Sequence, residues 1–359
     1  ATVKYRKEFL EALKEEIYIQ RNYLSGKEVQ SIYFGGGTPS LLNSTEILNI
    51  LNEIKKYFPV SKQVEITLEA NPDDIQPEML NKYRKIGINR LSIGVQSFFP
   101  DDLEYLNRIH SAEKAKESIN QAIEAGFDNL SLDLIYGIPG LTMEKWKSNL
   151  DMAFSMGIQH ISAYALTVEP KTALDLLIRK DKLPAPMEED MVLQFKEMMQ
   201  EMKRNGFIHY EISNFCKEGY YSKHNSMYWS GEHYLGLGPS AHSFNGVSRQ
   251  WNVASVIQYI DQIRKNERFF ESETLTRVQR YNEYVMTSLR TMWGCDGRKL
   301  LQEFGAETAS GFWLLASGFI EKGLIVEENE VFILTDEGKL FTDGIAAELF
   351  LEPEDSTQR

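Results

Sequence analysis

Cysteine is nearly absent from this chain of 359 residues: only Cys216 and Cys295 occur. They lie far apart and in no metal-ligand spacing. That excludes a disulfide scaffold and a cysteine-rich metal site, and both read as small buried hydrophobes. No run of about 18 apolar residues occurs, so no transmembrane helix is expected. The Walker A and GxGxxG fingerprints are both missing, which disfavours an ordinary NTPase or dinucleotide enzyme. Positive charge is in deficit, with 39 Lys and Arg against 52 Asp and Glu and a net charge of −13. That argues against non-specific binding to nucleic acid or to an acidic membrane, though a local basic pocket stays open. The first residues are charged and helical in pattern, so no signal peptide is expected and the expected location is the cytoplasm.

What is present is ordinary globular composition, 42% hydrophobic and 25% charged. It suits one large domain plus a small one. Apolar spacing predicts helices over 4–23, 44–57, 77–86, 112–125, 143–156 and 187–205. Between them run strand patterns at 29–34, 64–69, 88–95, 129–136, 160–166 and 207–213. Alternating units of this kind mean a parallel sheet with right-handed crossovers. Six strands are too few for a closed eight-stranded barrel and suit an open one. The expected division is 1–255 for this barrel with its extension and 256–359 for a helical domain. The latter carries a small hairpin around Glu327–Glu330 and is winged-helix-like. Acidic residues at that hairpin argue against DNA binding.

Sites in parallel α/β sheets gather at the C-terminal strand ends. The stretch "SIYFGGGTPS" ends its strand in Gly35, Gly36 and Gly37, which offer bare backbone to an amine or a carboxylate. A tight strand-to-helix turn is the other reading of the triplet. Glu69, in "LEANP", can pair with a cation or serve as a capping or surface acid. Gln96, in "GVQSF", suits hydroxyl groups. Arg108, in "LNRIH", can grip a carboxylate bidentately. Asp133, in "SLDLIYGIPG", sits in a strand that reads as buried, and a buried Asp needs a partner. Together these suit a zwitterionic amino acid joined to a ribose.

"IYFGGGTPSLL", "EANP", "RLSIGVQSF", "DLIYGIPG" and "YEISNF", in this order, resemble the radical S-adenosylmethionine family of oxygen-independent coproporphyrinogen III oxidases and their relatives. The resemblance covers nearly the whole chain. It implies a partial, three-quarter (β/α)6 TIM-like barrel that binds S-adenosylmethionine and a 4Fe–4S cluster. It assigns Gly35, Gly36, Gly37 and Thr38 to the methionyl amine and Arg108 to the carboxylate. Glu69 is a further contact, Gln96 and Asp133 face the ribose, and Ile135 and Ala165 face the adenine. A second stretch, "KHNSMYWSGEHYLGLGPSAHSF", carries His224, Asn225, Tyr228 and Trp229 as an HNxxYW motif. This is similar to the signature of the heme-chaperone branch. An imidazole can ligate heme iron, and the two aromatic rings can cover a porphyrin face. A core histidine among aromatic residues is the plainer reading. His233, Tyr234 and His242 stand near in sequence as candidates for a second ligand.

The family needs a CxxxCxxC motif on its first barrel strand, and this chain has none. The expectation is that Ala1 follows a segment that carries the motif and the first strand. Without it the chain builds no cluster and does no radical chemistry. For the intact protein the resemblance implies cleavage of S-adenosylmethionine to methionine and a 5′-deoxyadenosyl radical. The expected function is heme binding and transfer to a recipient protein, with an unidentified electron donor for the cluster. The alternatives are coproporphyrinogen III oxidation and a protein that keeps only the barrel. No residue is expected to be catalytic.

Overall fold

A computed structural model describes residues 3–352. In chain order its elements begin with α1 (Arg6–Ile19), β1 (Val29–Phe34), α2 (Ser44–Tyr57), β2 (Val60–Ala70), α3 (Pro77–Ile86) and β3 (Arg90–Gln96). Next come α4 (Pro100–Tyr105), α5 (Ala112–Glu124), β4 (Leu130–Tyr136), α6 (Met143–Ser155), β5 (His160–Ala165), α7 (Ala173–Arg179), α8 (Glu188–Arg204), β6 (Ile208–Glu211) and β7 (Asn214–Cys216). The remainder is α9 (Lys223–Trp229), β8 (His242–Phe244), β9 (Ser248–Asn252), α10 (Val256–Arg264), β10 (Phe270–Thr274) and α11 (Arg277–Leu289). It closes with β11 (Cys295–Asp296), α12 (Gly297–Glu321), β12 (Ile325–Glu328), β13 (Val331–Leu334) and α13 (Thr342–Glu348). These form two compact units, each drawn from separate stretches. One takes Tyr33–Ser44 and Glu65–Tyr221; the other takes the chain up to Ile32, Thr45–Val64, and the chain from Ser222.

The first of these units holds strands β3 to β7 of a seven-stranded sheet and the C-terminal ends of β1 and β2. Strand order is β1-β2-β3-β4-β5-β7-β6, with β1 and β6 as its two edges, so it stays open. From β2 to β5 every pairing is parallel. Its crossover helices follow from apolar spacing and caps. On α5, Ala112, Ala115, Ile119 and Ala122 are buried at helical intervals, and the Ser111 hydroxyl accepts from the Lys114 N–H at its start. On α6, Trp146, Leu150 and Ala153 are buried the same way behind a Thr142 cap.

The sequence predicts one last strand over 207–213, and the structure differs there. That stretch is a hairpin: β7 lies antiparallel to both β5 and β6. The turn contains no glycine. The Glu211 carboxylate makes it instead, accepting from the Ser213 N–H at 3.2 Å and from Asn214 Nδ2.

The other unit packs α1 against α10 through Ala12, Tyr259, Ile260, Ile263 and Phe269. Glu16 of α1 is fully buried. Its carboxylate accepts from the Gly238 N–H at 2.7 Å, from Asn252 Nδ2 at 2.6 Å and from the Tyr259 hydroxyl at 2.5 Å. One acid thus ties α1 to β9, to α10 and to the loop that leads into β8. A separate core built on Val285, Leu300, Phe312, Phe332 and Ile345 joins α11, α12, α13 and the three-stranded sheet β11-β13-β12. This is the helices-plus-hairpin arrangement read from the sequence. Asn329 and Glu330 both take positive φ at the β12–β13 turn, as a two-residue hairpin requires.

Candidate functional site

Inward-facing positions of the first unit's sheet form polar rows. One row runs Glu69, Ser92, Ser131, His160 and Cys216 in register across β2, β3, β4, β5 and β7. A second row runs Asp133, Ser162, Asn214 and Glu211. Barrel interiors are ordinarily filled by branched apolar side chains. Here serines, a histidine and carboxylates stand in their place, and each is satisfied by its neighbour.

At the rim, Glu69 accepts from the Tyr33 hydroxyl at 2.8 Å and from the Gly36 N–H at 3.1 Å. The glycine triplet has two separate causes. A Cβ on Gly35 would stand 2.5 Å from the Tyr33 ring and 2.9 Å from Glu69 Oε1, so that position needs the space. Gly36 and Gly37 meet nothing but take φ of +73° and +68°, so they need the left-handed backbone. Burial, with the Glu69 charge adding to it, holds the Tyr33 phenol well above its ordinary range.

Asp133 accepts from the Ser92 hydroxyl at 3.1 Å, and Ser162 is its second hydroxyl partner. Burial pushes its carboxyl up to about 7, with the Glu69 charge adding and the Ser92 bond opposing. Arg108 lies at the surface; desolvation of its guanidinium disfavours the charged form, and the Asp133 charge opposes that. Gln96 is buried and sits at φ +67°, a left-handed position that costs a non-glycine residue strain. It lies at a register shift between β3 and β4, and such bulges re-aim side chains. Its Nε2 lies only 2.9 Å from where a Gly94 Cβ would be, so the glycine leaves room for the amide to fold back. Ile135 is half-buried and Ala165 exposed, both at strand ends. All ten residues named for the S-adenosylmethionine side therefore fall in one compact unit.

The histidine motif lies in the other unit. Ser222 caps α9 by accepting from the Asn225 N–H. One turn apart, His224 and Tyr228 share a face of that helix. His224 Nδ1 is 3.1 Å from the Ser31 hydroxyl. Tyr228, 44% exposed, meets the Trp229 ring edge-on at 5.2 Å. The Arg290 guanidinium covers the Trp229 ring at 5.2 Å. The other candidates are placed differently. His242 is exposed and stacks on Trp251, while His233 packs against Phe244 and Gly246. Tyr234 leans on Tyr228.

Over 340 residues the chain is 36% identical to the heme chaperone HemW of Bacillus subtilis, an alignment that covers 94% of this chain and 90% of that one. The chain belongs to the HemW family. HemW of Mycobacterium tuberculosis is 32% identical over 342 residues, covering 95% of this chain and 86% of its own. The radical SAM superfamily model matches residues 2–153. The solved structure of coproporphyrinogen III oxidase (HemN) from Escherichia coli, a radical SAM enzyme, aligns with a TM-score of 0.83 at 24% identity, covering 98% of this chain and 84% of that chain. That likeness is one of fold, and the open parallel sheet is the partial radical SAM barrel read from the sequence. The radical SAM family implies S-adenosylmethionine and a 4Fe–4S cluster.

Four interior polar residues of this HemW-family chain, Ser92, Ser131, His160 and Ser162, carry no site motif of their own, because a serine or a histidine within a strand is common; Asn214 is visible as a polar residue at a strand end. The signal was there as alternation: "RLSIGV", "LSLDLIY" and "HISAYA" place polar residues at every second position.

Proposed function

We propose that this protein carries heme on a radical SAM scaffold, as a chaperone for insertion into target proteins. The observation that carries the reading is the oriented His224 imidazole, with Ser31 at Nδ1 and Tyr228 one turn along. A hydrogen bond at one ring nitrogen fixes the orientation of the ring, as it does for histidines that ligate metals. Tyr228 and Trp229 supply the aromatic surface for a porphyrin. Heme titration is the test. Replacement of His224 with alanine is expected to shift the Soret band and weaken binding at least tenfold. Replacement of Ser31 with alanine is expected to weaken it by a smaller factor. An unchanged Soret band in His224→Ala would remove His224 as the ligand. Anaerobic decarboxylation of coproporphyrinogen III by cluster-reconstituted protein would overturn the chaperone reading in favour of the oxidase.

The rim of the other unit suits S-adenosylmethionine. A carboxylate held by a phenol and a backbone N–H is a seat for an ammonium group, so Glu69 and the loop of Gly35, Gly36, Gly37 and Thr38 would take the methionyl amine. Arg108 would take the carboxylate, Gln96 and Asp133 the ribose hydroxyls, and Ile135 and Ala165 the adenine side. When bound at a reduced cluster, S-adenosylmethionine supplies radical chemistry. The two cysteines do not fit a cluster. Burial pushes the thiols of Cys216 and Cys295 up to about 12, so neither offers a thiolate. Among the described residues, no group of three or more His, Cys, Asp or Glu side chains is placed for a metal.

Replacement of Gly35 with alanine tests the rim. Its methyl group must displace the Tyr33 ring or Glu69, and affinity for S-adenosylmethionine in equilibrium dialysis is expected to fall at least tenfold. Unaltered affinity would show that the Tyr33–Glu69 pair does not seat the ligand.

A further inference from the structure

A line of hydrogen bonds leads inward from the rim, away from every group assigned so far. Asp133 and Ser162 face each other in register. Ser162 Oγ is 3.3 Å from Ser131 Oγ and donates to Asn214 Oδ1 at 2.9 Å. Ser131 Oγ is 2.7 Å from His160 Nδ1, and His160 Nε2 is 2.7 Å from the Tyr210 hydroxyl. Ser131, His160, Ser162 and Tyr210 are all at least 96% buried, so solvent cannot interrupt the line. Burial and the nearby Arg90 charge hold His160 well below its ordinary range, so it stays neutral. A neutral imidazole has one N–H and must choose which neighbour receives it.

We infer that Asp133, Ser162, Ser131, His160 and Tyr210 act as one switch, in which the charge state of Asp133 sets the tautomer of His160. The contacts allow two proton arrangements, and the inference is that the charge on Asp133 selects between them. When Asp133 is protonated it donates to Ser162, which donates to Asn214. Ser131 then donates to His160 Nδ1, and His160 Nε2–H donates to Tyr210. When Asp133 is ionised, Ser162 turns to donate to it and Ser131 turns to donate to Ser162. His160 Nδ1–H then donates to Ser131, and Tyr210 donates to Nε2. The first state holds five protons on these groups and the second holds four. The difference is the carboxyl proton that Asp133 releases. The linkage is reciprocal. His160 is therefore a positioning residue: its tautomer biases whether Asp133 offers a donor or an acceptor to a ligand hydroxyl. That consequence rests on the reading of Asp133 as a ribose contact, whereas the switch itself does not.

Other charged and titratable groups face this line. Tyr33, Glu69, Arg108 and Tyr164 act at its rim end, Arg90 and Glu211 inside, Cys216 in register with His160, and Tyr221 edge-on to the Tyr210 ring. The test must therefore separate Asp133 from them. Nitrogen-15 imidazole NMR of the ligand-free protein, with the His160 signals assigned by His160→Gln, reads the tautomer directly. On raising the pH from 5 to 9, the His160 proton is expected to move from Nε2 to Nδ1. In Asp133→Asn the tautomer is expected to be the same throughout. In Ser131→Ala it is expected to stop responding, and Ser131→Thr, which keeps the hydroxyl, is expected to restore the response. A wild-type His160 that keeps one tautomer across this range overturns the inference. So does a tautomer that still switches in Asp133→Asn, because another group would then drive it. Neither result bears on ligand affinity, so failure of the ribose reading is judged separately, by dialysis of S-adenosylmethionine against Asp133→Asn.

Discussion

Replacement of Glu16 with alanine is expected to destabilise the unit that contains α1 and α10 by about 4 kcal/mol. Glu16 is fully buried and accepts three hydrogen bonds, from Gly238, Asn252 and Tyr259. Burial raises its carboxyl above the ordinary range, and those three donors oppose the rise. The alanine variant strands all three donors in the interior and leaves a cavity where the carboxylate stood. Each orphaned donor costs about 1–3 kcal/mol. Glutamine is the informative comparison. Its amide oxygen, placed where Oε2 stands, can still accept from the Gly238 N–H and the Tyr259 hydroxyl, which leaves only the Asn252 amide donor facing an N–H group. The expected loss for Glu16→Gln is about 1–2 kcal/mol, by the same reckoning. Urea unfolding followed by circular dichroism measures both. Equal midpoints for the alanine and glutamine variants would show that volume, rather than donor satisfaction, is what Glu16 provides. The consequence reaches the histidine motif, because Gly238 lies in the stretch 223–244 that also carries His224 and Tyr228. Weaker heme binding in Glu16→Ala than in Glu16→Gln is the expected functional echo.

Local chemistry decides what the sequence reveals. Helix α2 begins at Ser44 and α3 at Pro77, as the apolar spacing and the proline indicate. The hairpin at Tyr210–Cys216 stays hidden because its turn is made by a carboxylate, and turn signals are read from glycine, proline and asparagine. At the rim, the glycine triplet and Glu69 are visible as a strand end rich in bare backbone. Their pairing through Tyr33 is not, since Tyr33 reads only as an apolar strand residue. Gln96 is visible as a polar residue after a strand. Its left-handed backbone and its dependence on Gly94 come from a register shift that no spacing rule marks. His160 is the sharpest case. At the first position of β5 it reads as a strand-edge residue, yet the register with Ser131 places it in the interior.

Replacement of Asp133 with asparagine is expected to stabilise the protein above neutral pH and to leave it unchanged under acid conditions. The Asp133 carboxyl titrates near 3.8 when freely solvated and at about 7 in the fold. Between those values the folded state binds one more proton than the unfolded chain, so stability falls as the pH rises. The contribution is fully present below about 4 and lost once the pH passes 7. Each unit of pH across that window removes about 1.4 kcal/mol, so the charged form carries a penalty on the order of 4 kcal/mol. Asparagine mimics the protonated acid. Its oxygen can accept from Ser92, its amide can donate to Ser162, and it never ionises. Hydrogen exchange of the β4 and β5 amides at pH 5 and pH 8 is the measurement. The variant is expected to gain about 4 kcal/mol of protection at pH 8, and about 1–2 kcal/mol at pH 5. Parallel behaviour of the two proteins across that range would mean that Asp133 ionises at its ordinary value and carries no penalty. An acid held in a desolvated site with no cation in hydrogen-bonding contact costs the fold stability at neutral pH. A ligand that donates hydroxyls to it recovers part of that cost, so Asp133→Asn is expected to gain stability and lose affinity for S-adenosylmethionine together.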